Sequence, residues 1–223
     1  MPTATLDELI LAVRAEIGDS TNVAMGLDAL PAFRQLLKRV QEVYYLDYDW
    51  PNLIFNPEEP LTANERYYTF DNGVNFERIF KVWVLDAGQW REMEYGIDPG
   101  HYNISNPELG QTEAVPRRWC HYGDNQFEVW PMPSADTKIK FRCIRALPRL
   151  SAGTDSCLID STLLILAAAA EMLAKQKSAD AQLKLSMATN HFNRLKGRFQ
   201  KNRMFVMGGS PMKQTGSQIR VPC

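Results

Sequence analysis

The chain has 223 residues, a formal net charge of −1, 45% apolar and 23% charged residues, and this average composition excludes a wholly disordered or collagen-like protein. Its longest uncharged apolar run falls well short of the roughly 20 residues that span a bilayer, so we expect no membrane segment. The four cysteines are scattered and lack CxxC spacing, which predicts reduced thiols rather than a disulfide framework or a zinc site.

Two helices are predicted at the N-terminus. Thr5 and Glu8 fit a capping box that begins the first helix, and Gly18 can take the left-handed conformation that ends it. The second helix is expected to begin near Asp28, with Pro31 tolerated in its first turn. The apolar stripes of the two helices comprise Leu6, Leu9, Ile10, Val13 and Ile17, then Phe33, Leu36, Leu37, Val40 and Tyr44.

The pattern changes between about residues 52 and 148, where helical periodicity gives way to short runs of β-forming residues. These runs lie at 66–70, 79–86, 89–95, 117–122, 125–130 and 137–145, and turn residues separate them. The last run alternates polar and apolar residues from Lys138 to Cys143, as a half-buried strand does. The spacing predicts an antiparallel sandwich or barrel.

Two further helices are predicted after this region. Asp160 or Ser161 is expected to cap the third helix, and the alanines at 167–170 would allow another backbone to approach closely. The fourth helix is expected to begin near Ser178 and to pack through an a/d seam with 4-3-4-3-4 spacing. The large core residues predicted for this seam are Leu185, Phe192, Leu195 and Phe199.

The C-terminal residues differ from the rest of the chain in charge. Residues 181–223 hold eight basic residues and no acidic residue, so residues 1–180 carry −9. Residues 205–223 lack periodicity and are predicted to form an extended arm that becomes ordered by binding a partner. The side chains expected to make this contact are Arg203, Phe205, Val206, Met207, Met212, Lys213, Ile219, Arg220 and Val221.

The predicted fold class is therefore α+β. Because neither helix pair can bury its stripe alone, residues 1–50 and 151–204 are expected to form one four-helix domain. Residues 51–150 would be an inserted β-domain, and residues 205–223 the extended C-terminal arm.

Residues that could carry chemistry are few. His101, His121 and His191 occur without a GxSxG or HExxH motif. Cys120 and His121 are adjacent on a predicted strand, so their side chains would point to opposite faces and could not easily serve one site. We therefore expect no catalytic centre, metal or cofactor. One alternative is a glycan hydrolase that uses Glu92 and Glu94.

A second alternative is a nucleic-acid-binding module. The predicted β-domain is dense in aromatic residues with arginines between them, which could form a base-stacking platform. Aromatic residues also build sandwich cores and protein interfaces, and the near-neutral chain argues against strong non-specific binding to phosphates.

The order of these elements resembles the head-to-tail adaptor proteins of tailed bacteriophages, of the short-tailed type. The resemblance covers roughly residues 5–200. It is carried by YDWP at 48–51, YYTF at 67–70, PRRW at 116–119, FEVWPMP at 127–133 and the alanine-rich stretch at 163–173. The chain departs from the family pattern at residues 71–73, which puts the strand register in doubt there.

The resemblance implies a structural protein of the virion neck, assembled in the host cytoplasm and without enzymatic activity. It implies a ring of about twelve copies, with the helical domain under the portal protein and the β-domain facing tail nozzle or tail fibre proteins. DNA would pass through the lumen without sequence-specific binding. The basic arm would then dock onto the portal or onto a neighbouring subunit; the alternative is a solvated tail beside the lumen, with its charges facing the DNA.

Overall fold

The structure, a computed structural model, describes residues 4–22, 29–70, 73–123 and 125–199. Within these residues the chain is a mixed α+β protein, which confirms the predicted fold class. The described part holds five helices rather than the expected four. They are α1 (Leu6–Ile17), α2 (Leu30–Asp47), α3 (Pro99–Tyr102), α4 (Ser161–Lys175) and α5 (Asp180–Phe199).

The helix ends follow from local hydrogen bonding. The capping box of Thr5 and Glu8 is present, and Gly18 ends α1 with a φ of 75°. Asp160 caps α4, because its carboxylate accepts a hydrogen bond from the backbone N–H of Leu163 at 3.1 Å. The additional helix, α3, forms where the sequence suggests only a turn. Pro99 lies in its first turn, and the Asp98 backbone N–H donates to His101 Nδ1 at 2.9 Å.

The four long helices α1, α2, α4 and α5 share one hydrophobic core. The alanines of α4 allow the close packing against α5 that the sequence suggests, since Ala168 and the facing Ala188 are fully buried. The same core receives the chain segments that lead into and out of the β-region. Its largest fully buried apolar members are Trp50, Phe33, Leu6, Leu9, Leu37, Ile144 and Ile159.

The buried face of α5 corrects one prediction. Phe192 and Leu195 are buried, 9% and 4% exposed, but Leu185 is 47% exposed and does not belong to the core. Lys184 faces α1 instead and pairs with Glu16. The other positions in the first half of the seam keep their predicted side, since Ala188 is fully buried and Ala181 is partly buried. The side chain of Phe199 lies outside the described residues.

The strands occupy the region between α2 and α4. They are β1 (Ile54–Phe55), β2 (Glu58–Leu61), β3 (Tyr67–Thr69), β4 (Val74–Asp86), β5 (Gln89–Glu92), β6 (Glu94–Tyr95), β7 (Thr112–Glu113), β8 (Arg118–Tyr122), β9 (Gln126–Trp130), β10 (Met132–Pro133) and β11 (Thr137–Arg145).

Two larger sheets enclose the second core. One has the order β1-β11-β4-β5, with β2 also pairing with β11, and the other has the order β3-β9-β8-β6. The pairing is mainly antiparallel, although β6 runs parallel to β8 and β7 runs parallel to β10. Phe127 of β9 and Phe141 of β11 meet edge to face between the sheets, with their ring centroids 5.2 Å apart. The outcome is a sandwich with an aromatic core, as the alternation in β11 suggests.

Tyr45 of α2 joins the helical part to the β-region. Its buried hydroxyl donates to the carbonyl of Arg145 at 3.0 Å and accepts from Asn75 Nδ2 at 2.6 Å. Arg78 of β4 donates to the Tyr45 carbonyl at 2.6 Å and pairs with Asp49. These contacts fix the end of α2 against β4 and β11.

Removing the β-region is expected to leave the helices folded, because its entry and exit strands lie side by side. Phe55 of β1 is opposite Cys143 of β11, so an Asn-Gly turn can join them in place of residues 56–142. Circular dichroism during urea unfolding should show one cooperative helical transition, weakened by the loss of the Tyr45 contacts. A broad, non-cooperative transition would mean that residues 51–150 are not an insertion.

Candidate interaction surface

An open cleft lies between β4 and the opposing sheet, and we call it the aromatic cleft. Its volume is about 470 Å³. Its aromatic lining residues are Phe76 and Phe80 of β4, Tyr95 of β6, and Trp119 and His121 of β8. The remaining lining residues are Glu77, Ile79, Lys81, Val82, Glu92 and Met93.

His121 holds the two walls of the aromatic cleft together. Its Nε2–H is positioned to donate to the carbonyl of Phe76 at 2.6 Å, which leaves Nδ1 to accept from the Tyr95 hydroxyl at 3.3 Å. The imidazole also lies 5.2 Å from the Trp119 ring. Cys120 points to the opposite side of β8, as predicted, so the two residues do not share a site. His121 therefore positions the aromatic side chains around it.

The aromatic side chains at the mouth of the cleft are accessible to solvent. Tyr95 is 63% and Phe80 is 43% exposed. Near the far end of β8, Tyr67 and Tyr122 are stacked with their ring centroids 4.2 Å apart, and both are exposed. Exposed aromatic residues in a cluster are typical of protein interfaces, where a large apolar ring is buried on association. The sequence does not separate these residues from the core aromatic residues Tyr68, Phe70, Phe127 and Phe141.

A buried polar cluster lies on the outward face of the second sheet. Glu128 of β9 is only 3% exposed, and its Oε1 accepts from Arg66 Nε at 2.7 Å and from the Tyr102 hydroxyl at 2.8 Å. Burial and the hydrogen bond to Glu128 raise the pKa of Tyr102 to about 12, so the phenol keeps its proton at neutral pH and donates. Burial, with a contribution from the Glu128 carboxylate, raises the pKa of Cys120 to about 11. Sequence reasoning missed this cluster.

The cluster anchors residues 97–111, which we call the outer segment. Besides the Tyr102 contact, the backbone carbonyl of Ser105 accepts from Trp130 Nε1 at 2.9 Å. The His101 ring lies 4.8 Å from the Trp130 ring. The outer segment thus covers the second face of β9, which explains why four consecutive residues of this strand are buried.

The carboxylates of the alternative hydrolase hypothesis are each paired with a cation. Lys81 Nζ binds both oxygens of Glu92, at 2.8 and 3.0 Å, and Arg118 pairs with Glu94. The two carboxylates lie on different strands, β5 and β6. The described part of the chain contains no group of three His, Cys, Asp or Glu residues that could hold a metal ion.

His191, the third histidine, belongs to the helical part. Its Nε2 lies 2.8 Å from Oδ1 of Asp160, the residue that caps α4. This contact connects α5 to the start of α4. The predicted arm residues, from Arg203 to Val221, lie outside the described residues.

The fold and the cleft define a class of protein. Two adjoining cores, a hydrogen-bonded joint at Tyr45 and an exposed aromatic cleft are features of a chain that assembles with other proteins. None of the described helices has the length and apolar character needed to cross a membrane.

Comparison with known families agrees with this class. The sequence profile described as SU10 adaptor protein matches residues 4–214. The chain therefore belongs to the SU10 adaptor protein family, and it is a structural adaptor protein of bacteriophage particles that associates with other phage structural proteins. No curated protein sequence matches the chain.

Proposed function

We propose that this chain is a head-to-tail adaptor that forms a closed ring between the portal and the tail. The observation that carries the proposal is the family match, which spans nearly the whole chain, residues 4–214. In this arrangement the helical part lies under the portal, the β-region faces the tail nozzle or tail fibre proteins, and DNA passes through the lumen. About twelve copies form the ring, which is a closed cyclic assembly of identical heterologous contacts.

The aromatic cleft supports a role in assembly rather than in catalysis. Protein interfaces are enriched in tyrosine and tryptophan, and they bury aromatic anchors in pockets of the partner. Tyr95 and Phe80 stand at the mouth of a cleft whose volume lies within the roughly 300–1,000 Å³ of ordinary binding pockets.

The outward face of the five-stranded sheet supports contact with passing DNA. Lys138, Lys140 and Arg142 alternate with the core residues of β11 and therefore project from one face. Lys140 pairs with Glu58 and lies 4.0 Å from the Trp90 ring centroid. Lys138 and Arg142 are exposed and have no ion-pair partner among the described residues. Phosphate groups are attracted to such cations without regard to base sequence.

The experiment that tests the proposal uses purified phage heads that carry the portal but lack the adaptor. The full chain is added, unbound protein is removed by sedimentation, and the heads are imaged by cryo-electron microscopy. We expect a closed ring coaxial with the portal, and no bound protein on heads without a portal. Absence of binding, or binding away from the portal vertex, would contradict the proposal. Tight, strongly salt-dependent DNA binding by the free chain would then favour the nucleic-acid-binding alternative.

A further inference from the structure

β4 has a free edge beside the aromatic cleft. β5 pairs with β4 only from Trp83 onward, and the Met93 N–H donates to the Val82 carbonyl at 2.8 Å just before it. Along residues 74–81, no described strand pairs with β4 on the side away from β11. His121 already binds the carbonyl of Phe76 on this side, so the edge that is open to an added strand lies between Phe76 and Val82. A free edge of this kind is a template for an added strand.

The aromatic cleft runs along this same edge. Residues 76–82 of β4 form one wall, and Tyr95 and Trp119 stand on the other. An extended peptide that pairs with the edge of β4 would direct every second side chain into the cleft. The site is therefore shaped for a strand with alternating apolar residues.

Residues 200–223 of this same chain, which we call the C-terminal segment, have the matching sequence. Ile219 and Val221 flank Arg220, so an extended backbone would point the two aliphatic side chains to one face and the arginine to the other. Pro222 follows directly and cannot donate a further ladder hydrogen bond, which limits the added strand to a short stretch.

The charges of the C-terminal segment and the cleft are complementary. The segment carries Lys201, Arg203, Lys213 and Arg220 and no acidic residue. The exposed Glu77 at the rim of the cleft has no ion-pair partner among the described residues, whereas Glu92 and Glu94 beside it are paired with Lys81 and Arg118. Opposite charges of this kind steer association and fix its register.

The end of α5 lies close to β4. Lys196, in the last turn of α5, lies over the ring of Tyr48, with Nζ 5.6 Å from the ring centroid. The residue after Tyr48, Asp49, pairs with Arg78 of β4. The 20 residue-to-residue steps from Phe199 to Ile219 can extend up to about 66 Å. Fully extended, this length is about twice the roughly 30 Å of the 20-residue helix α5, so the segment can leave its own copy.

We propose that the C-terminal segment of each copy adds as a strand to the free edge of β4 in the adjacent copy, with Ile219 and Val221 in the aromatic cleft. The inference rests on the ring proposed above. Each copy then offers one donor segment and one acceptor cleft, and a heterologous contact of this kind closes into a ring when it is repeated. The contact assigns the segment to a second copy of this chain rather than to the portal.

Disulfide trapping on adaptor-bearing heads tests the inference. Glu77→Cys places a thiol on the exposed rim of the cleft, and the native Cys223 lies two residues beyond Val221. After mild oxidation we expect a ladder of interchain disulfides on a non-reducing gel, with residues 77 and 223 joined in peptide mapping. Adding Cys223→Ser should abolish the ladder. The matched control Glu42→Cys, on an exposed position of α2, should give none.

The outcomes separate the inference from the proposed function. An intrachain disulfide between residues 77 and 223, or a ring without this disulfide, overturns the inference and leaves the ring in place.

A chain truncated after Met204 should keep the circular dichroism spectrum of its helices and fail to form rings on heads. If the truncated chain forms normal rings, the inference is wrong. If the full chain forms no ring on portal-bearing heads, the proposed function itself fails.

Discussion

Replacing Phe192 by alanine is expected to lower the free energy of unfolding by about 3–5 kcal/mol, the range for large aromatic residues removed from a core. Phe192 packs against three aromatic residues that join α2 to the start of the β-region. Its ring centroid lies 5.1 Å from that of Tyr44, 6.3 Å from that of Tyr48 and 5.9 Å from that of Trp50. Truncation therefore removes buried apolar surface and leaves a cavity that these rings cannot easily fill.

Urea unfolding followed by circular dichroism measures this effect. Leu185→Ala is the matched control on the same helix, and it should change the unfolding free energy by no more than about 0.5 kcal/mol because Leu185 lies on the exposed face. A loss below about 1 kcal/mol for Phe192→Ala would mean that the α5 seam contributes little to the core.

Replacing Arg66 by methionine should destabilise the protein by about 3–5 kcal/mol, because it leaves the carboxylate of Glu128 buried without its cation. Glu128 lies inside β9 under the outer segment, and the Tyr102 hydroxyl alone cannot replace the ion pair. The guanidinium also lies over the Tyr102 ring, 4.7 Å from its centroid, so the substitution weakens the anchor of the outer segment as well.

The double variant Arg66→Met, Glu128→Met separates the ion pair from the packing. Since an apolar pair of similar volume can replace a buried ion pair at little cost, the double variant should recover most of the stability. Lys81→Met is the control, because its partner Glu92 is exposed and such pairs contribute at most about 1 kcal/mol. Equal losses for Arg66→Met and Lys81→Met in urea unfolding would show that Glu128 is not held by Arg66.

The features that could be predicted from the sequence are those set by neighbouring residues. The capping box of Thr5 and Glu8, the left-handed Gly18 and the Asp160 cap each depend on residues a few positions apart, and each is confirmed. β11 begins and ends at the predicted residues, because its alternation extends over the whole strand. The resemblance to phage adaptors, carried by the order of such elements, is likewise confirmed by the family match.

The features that sequence reasoning missed depend on residues far apart in the chain. Glu128 looks like an outward-facing residue of a half-exposed strand, and only the outer segment, about 20 to 30 residues earlier, buries it. β2 contains Glu58, Glu59 and Pro60, which disfavour a strand, and it forms because β11 offers an edge with Lys140 opposite Glu58. The aromatic cleft, likewise, results from how β4 and β8 pack and not from any local motif.

The pairing of β1 with β11 also bears on how such a protein can evolve. Since Ile54 and Ile144 leave the helical core as direct neighbours, the sequence between them can lengthen, shorten or be exchanged by in-frame recombination without altering the packing of the helices. The helices and the inserted strands can therefore follow separate histories. In the arrangement proposed above, a lineage that acquires a different tail could replace the residues between these two positions and keep its connection to the head.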